Sequence, residues 1–441
     1  MSLGGLRLSA MAPWTLVGIA AVSALIRWRL CPDPTLAARI TRVTTALRER
    51  ARTVEAKAIT RIWLTTRLGV IVLAFAAVAT IGLPPDARGI SINENAFLNL
   101  PYRWDTGWYL AIAVDGYHWN SVAGSTRQQT IAFFPAYPLL MRAGGAIAGA
   151  RAPSGTRTRA TFDRLRTRTL MAGWLVALAA SYAALHAMFV WASAVTDRRT
   201  ALTSVALLSA YPFTVYFSAA YTEPLFLLCT LMAFNAVRTE RTVTAGAWGL
   251  LVGLLRPNGF LVTLPLMLLA ARNPTPRWRS WMAAVMPAIG MLIYSGYVWS
   301  LTGRPFAWME AHAAWGRTAP RWDETVTRPL EQLTSEGLIG YAMAAPYQLF
   351  NAAALLLSLS LLPIVWRRLG SAAALLVVVM VGPPLLAGGL MSIGRVTSTL
   401  FPVFVALASV IPRRQLPAWL VAFALAQGLA AALFFTWRPL V

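Results

Sequence analysis

Lysine is almost missing from this 441-residue chain, with Lys57 the only one among 39 basic residues. Acids are scarce as well, at 16 Asp and Glu, and there are only three histidines. The two cysteines, Cys31 and Cys229, lie far apart in or beside apolar sequence, so neither a disulfide framework nor a metal site follows from them. No Gly-rich phosphate loop occurs, which removes the usual means of cradling a nucleotide. Internal repeats are absent too, and a secondary transporter often shows two similar halves. Charged residues make up 12% of the chain.

What is there in quantity is apolar. Hydrophobic residues reach 57% and tryptophans number 18, and apolar runs of about 17–25 residues, the length of one membrane helix, recur throughout. The net charge of +23 could suggest a nucleic-acid partner. That reading fails, because the arginines fall in short clusters between apolar runs, as cytoplasmic loops of a membrane protein do. The chain reads as an all-α polytopic membrane protein.

Residues 1–60 read as an extension outside the body at 61–441. They contain a marginal apolar helix, 12–26, without a cleavage site of the usual kind, and then a basic amphipathic stretch. The spans expected after them are 63–83, 170–191, 201–218, 220–237, 243–256, 259–271, 280–300, 347–365, 371–391, 398–411 and 416–436, about eleven. Arg198/Arg199, Arg238/Arg241, Arg272/Arg277/Arg279, Arg367/Arg368 and Arg413/Arg414 then share one side, the cytoplasm. Asp105, Glu223, Arg256, the segment 301–346 and Arg395 share the other. This topology requires that 131–150, broken by Pro135 and Pro138, does not fully cross. The six arginines of 151–168 fit it badly, because it leaves them outside.

The densest chemistry lies in Pro101-Tyr102-Arg103-Trp104-Asp105-Thr106-Gly107-Trp108-Tyr109, one carboxylate among large aromatics at the end of the first span. A charge costs roughly 2.5–3.5 kcal/mol at a membrane helix centre, so carboxylates in such a chain are few and usually functional. Arg103-Trp104-Asp105 with Trp108-Tyr109, Ile112-Ala113 and Gly116-Tyr117 resembles the first-loop signature of the PIG-V-type mannosyltransferases, the family of GPI mannosyltransferase 2 and its bacterial relatives. Phe133-Phe134-Pro135-Ala136-Tyr137-Pro138-Leu139, Ser218–Phe226 around Tyr221-Thr222-Glu223, and Arg256-Pro257-Asn258-Gly259 resemble its next blocks. Trp315-Gly316-Arg317 and Gly394-Arg395 with Phe401-Pro402 are weaker matches. The blocks cover roughly 60 to 410, in the family's order.

The resemblance implies a GT-C fold with the catalytic Asp in the first extracytoplasmic loop. It also implies a polyprenyl-phosphate sugar donor, usually carrying mannose, and a location in a bacterial plasma membrane. The acceptor expected is a glycolipid or lipid-linked glycan, with no cofactor, metal or nucleic acid. Asp105 is then the general base, and attack from the opposite face of the sugar inverts the anomeric carbon. Arg256, Arg317 and Arg395 suit the phosphate, since a guanidinium stays charged and binds oxygens in pairs. Arg103, Trp104, Tyr109, His118, Glu223 and Asn258 complete the expected substrate-binding set.

Each role has a plainer rival. Asp105 could cap a helix or pair with Arg103, Glu223 could open a helix, and Arg256 could anchor a helix end. Tryptophans in 301–346 suit interfacial anchoring. A transporter or flippase of lipid-linked sugars remains an alternative, as does a GT-C enzyme that moves another sugar or acts on protein.

Overall fold

The computed structural model describes residues 53–87, 90–121, 127–150, 158–272, 277–317, 324–344 and 346–440. The chain divides into two compact units, Met1–Ala58 and Ile59–Val441. The expected helix 12–26, most of the basic stretch after it, and Trp322 and Asp323 lie outside the described residues.

Among the described residues every regular element is helical. The helices of eight or more residues are α1 (Val54–Thr80), α2 (Thr106–Asp115), α3 (Ala136–Ile147), α4 (Arg159–Ser193), α5 (Arg198–Ala210), α6 (Glu223–Arg238), α7 (Thr242–Leu255), α8 (Thr263–Ala270), α9 (Arg277–Thr302), α10 (Glu324–Ala344), α11 (Pro346–Leu369), α12 (Ser371–Gly388), α13 (Phe401–Val410) and α14 (Leu416–Phe435).

Six helices among the described residues are long and apolar enough to cross a membrane, or seven if a bent pair is one span. Of the about eleven spans expected, those six or seven pass by length and composition among the described residues. Expected span 201–218 is α5 followed by the 3-10 segment Pro212–Ser218 after a 78° bend. Spans 220–237, 243–256, 259–271 and 398–411 contain α6, α7, α8 and α13, of 16, 14, 8 and 10 residues. At 1.5 Å per residue each is shorter than the roughly 30 Å of a hydrocarbon core. The cause is proline: Pro212, Pro224, Pro257 and Pro402 each occupy the first turn of a new helix, where the missing N–H is harmless. Segment 131–150 forms only the 12-residue α3 after a short 3-10 turn.

The bend after α5 exposes carbonyls that must find donors. Arg67 from α1, only 2% exposed, gives Nη1 to Thr214 O (2.5 Å) and Nη2 to Ser209 O (2.8 Å). Gln427 from α14 gives Nε2 to Ser209 O (3.0 Å), Tyr211 O (2.9 Å) and Thr214 Oγ1 (2.7 Å). A cation and an amide thereby hold an irregular backbone in the core.

α7 and α9 pack backbone to backbone. A Cβ on Gly253 would fall 1.9 Å from Pro287 O, so only glycine permits that approach. Outward, α14 carries Val421, Leu425 and Leu429 exposed on one stripe, as a lipid-facing helix does. Trp278 and Trp281 are exposed near one end of α9, and Tyr297 and Trp299 near the other, in the pattern of two interfacial belts.

Three of the basic clusters lie close together: Arg272 donates to Ser371 Oγ (2.8 Å), two residues after the end of α11, and Arg368 donates to Ser409 O (2.7 Å), close to Arg413. Glu223 and Arg238 stand at opposite ends of α6.

Candidate active site

Three short connections and one short helix bring four charged side chains together. Asp105 precedes α2, Glu223 opens α6, Arg256 follows α7, and Arg395 sits in the five-residue helix Ile393–Thr397. Arg395 pairs with both acids, through Nη1 to Asp105 Oδ2 and through Nε to Glu223 Oε1. Arg256 Nη1 reaches the same Glu223 oxygen at 2.5 Å. Arg395 Nη2 also donates to Tyr109 Oη at 3.3 Å.

Exposure separates the two carboxylates. The Glu223 side chain is 0% exposed and that of Asp105 24% exposed, although both contact Arg395. Glu223 therefore holds the two arginines from behind, while Asp105 is the acid a reactant can reach. Among the described residues Glu223 Oε2 has no hydrogen-bond partner.

The rivals for Asp105 can now be tested by geometry. It occupies the N-cap position of α2 yet makes no side-chain capping bond. Its own N–H donates to Tyr221 Oη at 3.2 Å. Arg103, only 2% exposed, is turned elsewhere: Nε donates to Phe435 O (2.6 Å) and Nη1 to Asn99 O (2.6 Å) and Tyr102 O (2.8 Å). It thus caps the carbonyl end of α14, a favourable place for a cation. Burial pushes its pKa down to about 10. Trp104 joins the same anchor, donating to Phe434 O (3.3 Å) and lying 5.2 Å from the Trp437 ring. Its φ of +48° is rare for a bulky residue and sets the turn that presents Asp105.

Of the expected binding residues, Arg395 contacts Asp105 directly, Glu223 and Tyr109 join through Arg395, and Arg256 joins through Glu223. Arg317 lies within electrostatic reach: burial first, then Arg395 and Arg256, push its guanidinium down to about 10, and Asp105 opposes them. Among the described residues it has no carboxylate partner. Three arginines thus face two carboxylates, an excess of one positive charge suited to an anionic group. Arg103 and Trp104 are anchors outside the cluster. Asn258 is half-buried beside Arg256, without a side-chain hydrogen bond among the described residues. His118 borders a separate cavity.

Tyr216, Tyr221 and Asn351 hold the cluster and carry no assigned role in the sequence reading. The Tyr221 ring lies 4.8 Å below the Arg395 guanidinium, and the Tyr216 ring 5.6 Å from it. Asn351 Oδ1 accepts the Gly394 N–H at 2.7 Å and so fixes the start of the Arg395 helix. An amide within the apolar span 347–365, three residues past Gln348, is the signal that could have found it. Trp108, Phe133 and Trp315 form an aromatic wall beside Asp105, with centroids 5.6 Å apart pairwise. No three His, Cys, Asp or Glu side chains gather as a metal site among the described residues.

No protein-family model matches the chain, and no curated protein matches it. Solved structures of the Archaeoglobus fulgidus oligosaccharyltransferase are similar to it. The apo form has a TM-score of 0.40 at 14% identity, over 84% of this chain and 56% of that one. The form in complex with Zn and sulfate has a TM-score of 0.38 at 15% identity, over 83% and 53%. The form tethered to an acceptor peptide containing the NVT sequon has a TM-score of 0.37 at 12% identity, over 85% and 56%. The chain spans about half the length of that enzyme.

Proposed function

We propose that this chain is a membrane glycosyltransferase of GT-C type, similar to the PIG-V mannosyltransferases. It moves mannose from polyprenyl phosphate to a glycolipid or lipid-linked glycan on the extracytoplasmic face of a bacterial plasma membrane. Residues 61–441 are its catalytic body. The observation that carries this reading is the junction of a reachable, uncapped carboxylate, Asp105, with Arg395, which is backed by the fully buried Glu223.

The donor is a phosphodiester with one negative charge. Its phosphate enters beside Arg395, Arg256 and Arg317 and competes with Asp105 for the Arg395 guanidinium, which frees the carboxylate. Asp105 then accepts the acceptor hydroxyl's proton as that oxygen bonds to the anomeric carbon. The bond from that carbon to the phosphate oxygen breaks on the opposite face, and the configuration inverts. The departing polyprenyl monophosphate gains a second negative charge, which the excess arginine offsets. Preorganised donors in a water-poor site need little rearrangement as that charge grows.

The test is turnover by the purified full-length chain in liposomes. Radiolabelled polyprenyl-phosphate mannose should give a labelled lipid or glycan product, with EDTA having no effect. Efficient direct use of GDP-mannose, or translocation of the donor without bond cleavage, would sink the reading.

A further inference from the structure

Next to the charged cluster lies a cavity of about 300 Å³ lined by Trp108, His118, Trp119, Arg127, Gln128 and Thr130, among others. That is the lower end of the roughly 300–1,000 Å³ of small-molecule sites. Trp108 lies one helical turn after Asp105 and belongs to the aromatic wall with Phe133 and Trp315, so a single indole separates cavity and cluster.

The cavity's frame is tied from within. Thr130 Oγ1 accepts the His118 N–H at 2.9 Å and donates to the His118 carbonyl at 3.0 Å. Gln129 does the same for Asn120, accepting its N–H at 2.8 Å and donating to its carbonyl at 3.3 Å. Tyr117 Oη donates to Phe133 O at 2.8 Å. The segments 117–120 and 128–133 are therefore clamped together. The side chains of His118, Arg127 and Gln128, by contrast, make no bond to the protein among the described residues. Arg304 covers the Trp119 ring at 5.8 Å, and its charge is met by Glu310 at 2.7 Å.

We propose that this cavity is the subsite for one pyranose ring of the acceptor, a glycan rather than a bare lipid alcohol; the inference rests on the glycosyltransferase reading above. A sugar ring has an apolar face of C–H groups and a rim of hydroxyls that both donate and accept. Two indoles supply flat apolar surface. The Gln128 amide offers two donors and an acceptor, the His118 ring one of each when neutral, and Arg127 a forked donor. Most of the lining is uncharged hydrogen-bonding or aromatic surface, Arg127 being its one arginine, and the nearby Arg304 is already paired with Glu310. A sugar held on Trp108 and Trp119 places its hydroxyls toward the side of the wall where Asp105 waits.

The test uses methyl α-D-mannopyranoside and methyl β-D-glucopyranoside as probes of the full chain in nanodiscs, read by saturation-transfer NMR. At least one glycoside should show saturable binding. Trp119→Ala and Gln128→Ala should each weaken it at least fivefold, and Trp119→Phe should retain it. Binding that survives both alanine variants overturns the subsite. Donor turnover without any saturable glycoside binding also overturns it and leaves the catalytic reading standing. Glycoside binding that depends on Trp119, with no donor turnover, supports the subsite and removes the donor reading instead.

Discussion

Arg395 and Asp105, 290 residues apart in the chain, form an ion pair, and the same guanidinium grips the buried Glu223. One cation therefore joins the first connection after α1 to the middle and to the end of the chain. The expected consequences differ for each member.

Asp105→Asn keeps shape and removes basicity. Mannosyl transfer should fall by about 10²–10⁴-fold, the usual worth of a general base, with expression and thermal unfolding nearly unchanged. Near-normal turnover in that variant would remove Asp105 from the mechanism.

Glu223→Ala should act on stability before chemistry. It leaves Arg256 and Arg395 close together without their shared counterion in a site of 0% exposure. Breaking a buried pair in this way costs about 3–5 kcal/mol, so thermal unfolding in detergent should shift down clearly. An unchanged midpoint would show that the network does not hold the fold.

Gly394→Ala tests how Arg395 is positioned. A Cβ there would fall 2.0 Å from the Phe213 ring, so the short helix must move and carry Arg395 off the acids. Activity should drop at least tenfold, and Phe213→Leu in the same chain should recover part of it. A lone Gly394→Ala variant with full activity contradicts the packing argument.

His312 predicts a pH dependence. Burial, opposed by its Trp308 hydrogen bond and aided by Arg317, pushes its pKa down from 6.5 to about 4. The fold prefers the neutral ring, so this contribution is intact above about pH 6.5 and is lost as pH falls toward 4. Thermal stability should decline between pH 6.5 and 5, and His312→Gln should flatten that decline. Equal slopes in the two proteins would exclude His312 as its source.

Orientation is open to cysteine labelling with Cys31 and Cys229 replaced. Met309, 58% exposed, lies on the side of the cluster, and Thr239 at the basic end of α6. Met309→Cys should react with an impermeant maleimide on intact cells, and Thr239→Cys only after permeabilisation. The reverse pattern would turn the site toward the cytoplasm.

Much of this was legible without coordinates. Apolar runs determine an all-helical membrane chain, because hydrocarbon leaves a backbone few alternatives to helix. Arginine alternation predicted two sides for the bundle, and the family resemblance drew attention to Asp105 and Glu223. Hydropathy could not tell a full span from a half-helix, since α7 and α13 are apolar throughout and end just before Pro257 and Pro412. Nor could it separate Arg103 from Arg395, because both are arginines beside aromatics. Tertiary structure decided that one donates to carbonyls at the end of α14 and the other to two carboxylates. It also placed the polar groups of Arg67, Asn351 and Gln427 against the irregular backbone whose hydrogen bonds they complete. Sequence records which residues carry donors, but which acceptor each one meets depends on the packing of segments hundreds of residues apart.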